Sequence, residues 1–233
     1  MISFTKFYKL FGLSCPQPAI YSNEDIIQIM NMDDYFILIL SMLIMIFITV
    51  VFTFALSKTR FFNSHIDGKL QPKNCLVIIF VFGLLSIIAT HYMSASYNSA
   101  IISIRDMPSL VAGLIGGPIT GIGAGLIGGI ERYMEGGVTA VPCSIGPIVS
   151  GLIGGIAWYI AGKKYPKLIV AALSMFIAEA THLTMTYFIS DMNAGVDVHD
   201  IVITAAVPMI IFTVLGVIII TMVYNKYIAP DLE

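Results

Sequence analysis

The chain has 233 residues, of which 58% are hydrophobic and 11% are charged, under half the charged share of an ordinary soluble domain. That balance excludes a soluble globular fold, and a net charge of -2 with no basic stripe argues against a nucleic-acid partner. Three scattered cysteines, Cys15, Cys75 and Cys143, provide neither a disulfide framework nor a zinc site.

Residues 1–34 are mixed and polar, without the charged, apolar and small-residue succession of a cleaved signal peptide. They read as an N-terminal extension, polar or interfacial. From residue 35 to 229 the chain reads as one transmembrane domain. Its first two spans are 35–56 and 75–95, the second interrupted only by His91 among ionisable residues. A helix needs about 20 apolar residues to cross the hydrocarbon, so both are long enough. Three further spans are expected at 139–162, 168–189 and 201–225, the first of them rich in glycine.

The stretch 107–131 is settled by charge. Lysine and arginine accumulate on the cytoplasmic side of a membrane. The connection 57–74 holds Lys58, Arg60, Lys69 and Lys73, and a second basic cluster stands at Lys163, Lys164 and Lys167, whereas 190–200 carries Asp191, Asp197 and Asp200. A single crossing at 107–131 would put the Lys163 cluster on the wrong face. A segment that enters and leaves by the outer face puts every basic connection, and the C-terminus, inside. Gly116-Gly117-Pro118 supplies the break, since proline removes a helix donor and glycine tolerates sharp backbone angles. The expected fold is therefore all-α and polytopic, with five spans plus a glycine-rich re-entrant hairpin, or two thin tilted helices in its place.

Gly-Leu-Ile-Gly-Gly occurs at 113–117, 125–129 and 151–155. Small residues spaced by four let helices approach closely in lipid, and thin helices also leave room for a cavity. Both readings stay open. No strand precedes the repeat and no Gly-Lys-Ser/Thr closes it, so it is not a phosphate loop.

Charged groups at membrane depth are costly and mark candidate sites. Arg105 and Arg132 bracket the glycine segment. In one straight helix they would stand roughly 40 Å apart, but a hairpin brings both to the outer face, where planar guanidinium groups suit a shared carboxylate. The alternative is that they snorkel to headgroups or pair with Asp106, Glu131 or Glu135. Glu179 and His182 lie one helical turn apart within 168–189. A single Glu-x-x-His lacks the second copy of a di-metal bundle. Glu179 is expected to face the interior, neutral or paired with an arginine, with His182 bonded to it or to a backbone carbonyl. Cys143 stands between Pro142 and Gly146-Pro147, where it lines a cavity or is buried and inert. No metal site, cofactor or intramembrane active site stands out.

The run SIRDMPSLVAGLIGGPITGIGAGLIGGIERYMEGGVTAVPCSIGPIVSGLIGG at 103–155, together with Glu179, Pro208-Met209-Ile210 and Gly216, resembles the five-transmembrane receptor domain of the LytS-YhcK type. The likeness extends over about 75–225. It implies a sensor domain of a two-component phosphorelay, usually joined to a histidine kinase or a diguanylate cyclase and tied in part to control of the cell wall. Some kinase members respond to extracellular pyruvate. It places the ligand-linked positions on Arg105, Arg132 and Cys143, with Ser144, Glu179 and His182 beside them. Three positions depart from the family pattern: Ser103 for an asparagine, Gly146 for a serine, and Thr213 for an asparagine. Only eight residues follow Asn225, so no kinase or cyclase is expected within the chain.

The implied function is a multi-pass cell-membrane receptor module that binds a small carboxylate such as pyruvate from outside. It would signal through a separate protein or a homo-oligomer. The alternative is the substrate-binding subunit of a small-solute transporter.

Overall fold

The computed structural model describes residues 32–59, 72–92, 94–97, 100–190 and 197–228. The predicted extension up to residue 31 lies outside them. So do most of the basic connection 57–74 and part of the acidic connection 190–200.

Helix α1 (Met32–Ser57) and α2 (Pro72–Tyr92) are the first two spans. The second ends three residues before its predicted limit, because the chain enters a two-stranded antiparallel hairpin. Its strands, β1 (Ser94–Tyr97) and β2 (Ala100–Ser103), pair in a register that sets Ser94 opposite Ser103 and Tyr97 opposite Ala100. This hairpin was not anticipated and is the one departure from an all-α fold among the described residues. Then follow α3 (Asp106–Gly116), α4 (Pro118–Glu135), α5 (Ala140–Ile160), α6 (Leu168–Ile189) and α7 (Val198–Val223), whose last turn widens to π geometry at Tyr224–Ile228. Five helices, α1, α2, α5, α6 and α7, are long and apolar enough to cross a bilayer.

The glycine-rich stretch is a helical hairpin, as expected. Gly117 adopts φ +82°, a left-handed angle that costs glycine little, and Pro118 opens α4 at a position where its missing N–H is no loss. Thr120 locks the turn by donating to the carbonyl oxygens of Ala112 (2.9 Å) and Gly117 (2.7 Å). The hairpin is deep. Along α5, Gly129 lies against the Ser144 carbonyl, Gly125 against Pro147, Gly121 against Gly151, and Gly117 against the Trp158 ring. From Ser144 to Trp158 is about 21 Å of helix rise.

The repeat is thereby given a packing role. Gly121, Gly125 and Gly129 form one face of α4, and a methyl group on Gly121 would collide with the Gly151 carbonyl. On another face Gly128 receives Ser86 of α2. With no hydrophobic drive between helices in lipid, such backbone proximity is what holds them together.

The core gathers Met42 and Met45 of α1, Phe82 and Leu85 of α2, and Met107, Leu110 and Leu114 of α3, all fully buried or nearly so. Phe36, Phe47, Phe80, Ile119 and Phe188 point outward, the arrangement of a bundle whose solvent is lipid. Threonines within the spans satisfy themselves locally, as where Thr49 donates to the Met45 carbonyl and Thr221 to that of Val217. At the end of the bundle where α5 and α7 finish, Tyr165 stacks on Tyr224 with ring centroids 3.9 Å apart, and its hydroxyl meets Thr221 at 3.1 Å.

Candidate functional site

Because the hairpin folds back on itself, the start of α3 and the last turns of α4 share one end of the bundle. Arg105 and Arg132 are both 0% exposed and close enough to act on each other electrostatically. Neither snorkels to the surface, and neither pairs with Glu131 or Glu135. Arg105 spends Nη2 on the Ile101 carbonyl (2.8 Å), which leaves Nε and Nη1 buried without partners. Arg132 gives Nη1 to the Gly136 carbonyl (2.6 Å) and Nη2 to Thr139 Oγ1 (3.2 Å), which leaves Nε open. A buried cationic donor without a partner is expensive, so these nitrogens mark a place for an acceptor.

Opposite them α6 contributes Glu179 and His182, both buried, with neither Glu179 oxygen hydrogen-bonded. The partner expected for His182 was Glu179 or a backbone carbonyl. The structure corrects this: His182 Nδ1 meets Asp106 Oδ2 at 2.6 Å. Asp106, buried at the first turn of α3, had been weighed only as a counter-ion for arginine. The sequence hint was its place beside Arg105 in an apolar run.

Cys143 is nearly fully buried in the first turn of α5, beside His182 and within electrostatic reach of both arginines. Ser144, one residue on, donates to the Ala140 carbonyl while its own carbonyl packs on Gly129, so it serves the α4–α5 contact. Gly146 is where the imidazole fits, since a Cβ there would stand 2.9 Å from the His182 ring. Ser103 carries a buried, unpartnered hydroxyl, whereas Thr213 bonds back to the Met209 carbonyl at 2.7 Å.

A partly open, narrow cleft reaches this cluster. Its wall is formed by β2, Thr139, Cys143, His182 and, from α7, Ile201, Val202, Ala205 and Met209. Arg105 and Arg132 stand directly behind it, bonded to its lining residues Ile101 and Thr139.

Asp106, Glu179 and His182 bring their donor atoms within 4.8 Å of one another, as do His91, Glu131 and Glu135 nearer the end of the bundle. The arginines next to the first trio oppose a cation there, by the same Coulomb interaction that attracts an anion. In the second trio the imidazole lies between two carboxylates, Nε2 on Glu131 and Nδ1 on Glu135 (3.1 Å), and ties α2 to α4. His91 stood out in sequence as the one histidine of its span, but its partners did not.

The chain is a multi-pass helical bundle with a deep hairpin and a cluster of buried polar and charged side chains at one end. The family model described as "5TMR of 5TMR-LYT" matches residues 59–227, and the chain belongs to this family of five-transmembrane sensor domains. It is similar to the sensor protein LytS of Bacillus anthracis, 32% identical over 198 residues that cover 77% of this chain and 32% of that protein. It is also similar to the sensor histidine kinase BtsS of Escherichia coli K12, 28% identical over 186 residues covering 78% and 33%. A third relative, the sensor histidine kinase YpdA of the same strain, is 32% identical over 117 residues covering 49% and 20%. The chain spans about a third of the length of the first two, and the part it matches is the membrane sensor region.

Proposed function

We propose that the chain is a membrane sensor module that binds a small carboxylate, of the size of pyruvate, in the chamber between α3, α4, α5 and α6. One observation carries this: Arg105 and Arg132 are wholly buried side by side, with three guanidinium nitrogens between them lacking any acceptor. A carboxylate supplies acceptors for two cations at once, and charge-assisted bonds in a water-poor chamber are among the strongest available.

The ligand enters from the outer face, and the C-terminus is cytoplasmic. Lys58, Lys73, Lys163, Lys164, Lys167 and Lys226 fall at the end of the bundle where α1, α5 and α7 finish, whereas Glu131, Glu135, Asp197 and Asp200 fall at the other. That asymmetry supports the assignment. The relatives are sensor proteins by name, which favours signalling over solute uptake. The signal then passes through α7 to a histidine kinase, in a partner or in a longer chain.

Titration calorimetry with pyruvate on the protein in lipid nanodiscs tests the site. Saturable binding that is lost in both Arg105→Ala and Arg132→Ala supports it. Affinity unchanged in both variants overturns it.

A further inference from the structure

The arginines account for holding a carboxylate, but not for what lies on the cleft wall in front of them. There the incoming molecule meets Cys143 and His182. His182 Nδ1 meets Asp106 at 2.6 Å, so Nε2 is the ring nitrogen left without a partner, and the ring packs at Gly146, one helical turn along α5 from Cys143 on the same cleft wall. Three helices thus bring a thiol, an imidazole and a carboxylate to one place, all nine-tenths or more buried. In this order the imidazole takes the thiol proton, the carboxylate fixes ring orientation and tautomer, and the sulfur becomes a strong nucleophile. Gly146 preserves the arrangement, because any side chain there would push the ring aside. A cysteine present only to fill space has no use for an oriented imidazole.

We propose that Cys143, assisted by His182 and Asp106, adds reversibly to the ketone carbon of a small 2-oxo acid whose carboxylate is held by Arg105 and Arg132. The ligand is then detected as a covalent thiohemiketal. This rests on the carboxylate-binding reading and narrows it to a class, acids with an electrophilic carbonyl next to the carboxylate. The step balances without an oxidant or a leaving group. A carbon–sulfur bond forms, the carbonyl π pair moves to oxygen, and the proton that His182 took from the thiol passes to that oxygen. Reversal expels the thiolate and restores the ketone, so a sensor can follow a falling ligand concentration. A 2-hydroxy acid fits the arginines equally well but offers no carbon for attack.

The test uses the full chain in nanodiscs with pyruvate labelled with carbon-13 at C2, and with lactate as the reduced counterpart. The expected result is a bound C2 resonance in the tetrahedral-carbon region and an affinity for pyruvate about tenfold or more above that for lactate. In Cys143→Ser, which keeps the shape but weakens the nucleophile, the tetrahedral resonance disappears and the two acids bind alike. Asp106→Asn, with unchanged thermal unfolding, lowers the adduct fraction. A bound resonance that stays ketonic, with pyruvate and lactate of equal affinity and both lost in the arginine variants, overturns the covalent step while leaving the carboxylate site in place. Failure of both acids to bind overturns both.

Discussion

Arg105 and Arg132 divide their donors unequally, and this yields a crossed expectation for two substitutions. Arg105 keeps two nitrogens free for a ligand and gives one to the protein, whereas Arg132 keeps one and gives two. A hydrogen bond to a charged group is worth about 1.5–3 kcal/mol. Arg105→Ala therefore removes about 3–6 kcal/mol of binding, a loss on the order of 10²- to 10⁴-fold in affinity. Arg132→Ala removes about half of that, on the order of 10- to 10²-fold. Stability runs the other way, because Arg132 ties the end of α4 to Gly136 and Thr139 while Arg105 holds only Ile101. Calorimetric affinity for pyruvate and thermal unfolding, both in nanodiscs, read the two effects separately. If Arg132→Ala costs more affinity than Arg105→Ala, donors left without a protein acceptor are not what binds the anion.

Gly121→Ala drives a methyl group into the Gly151 carbonyl, and overpacking of this kind costs about 1–3 kcal/mol; the thermal unfolding midpoint should fall, whereas alanine at the uncrowded Gly162 leaves packing untouched but strains its φ of +75°. Gly146→Val crowds the His182 ring, so it should weaken pyruvate binding about tenfold or more while the unfolding midpoint changes little. Burial pushes the Tyr165 phenol up, so the folded chain holds that proton more tightly than the unfolded one. Its contribution is complete below the ordinary phenol value of about 10 and is lost as pH rises above it. Tyr165→Phe should flatten that alkaline limb of the stability profile and remove one hydrogen bond, about 1 kcal/mol.

The membrane fold was legible because apolar run length and the placement of lysine are strong, local signals. Gly116-Gly117-Pro118 marked the hairpin turn for the same reason, since few sequences reverse a helix so abruptly. The strands at 94–103 were not legible: four residues with mixed serines leave no clear alternation, and the segment borders an apolar run that reads as helix. At the site, Arg105, Arg132, Glu179, His182 and Cys143 were visible as charged or reactive groups out of place in lipid. Who meets whom was not visible. Asp106 finds His182 across 76 positions of sequence, and only the packing of α3 on α6 decides that contact. Ser144 was drawn in by its neighbour Cys143, but one residue of helix rotation, about 100°, turns it to another face.

The division of labour along α4 and α5 has a consequence for how such domains diverge. Backbone meets backbone along their shared seam, so the scaffold makes almost no demand on side-chain identity in the chamber. A change at Ser103, whose buried hydroxyl has no partner, alters the polar lining while the scaffold beneath stays as it was. The glycines, by contrast, are locked in place: a single added carbon on either helix is felt by both.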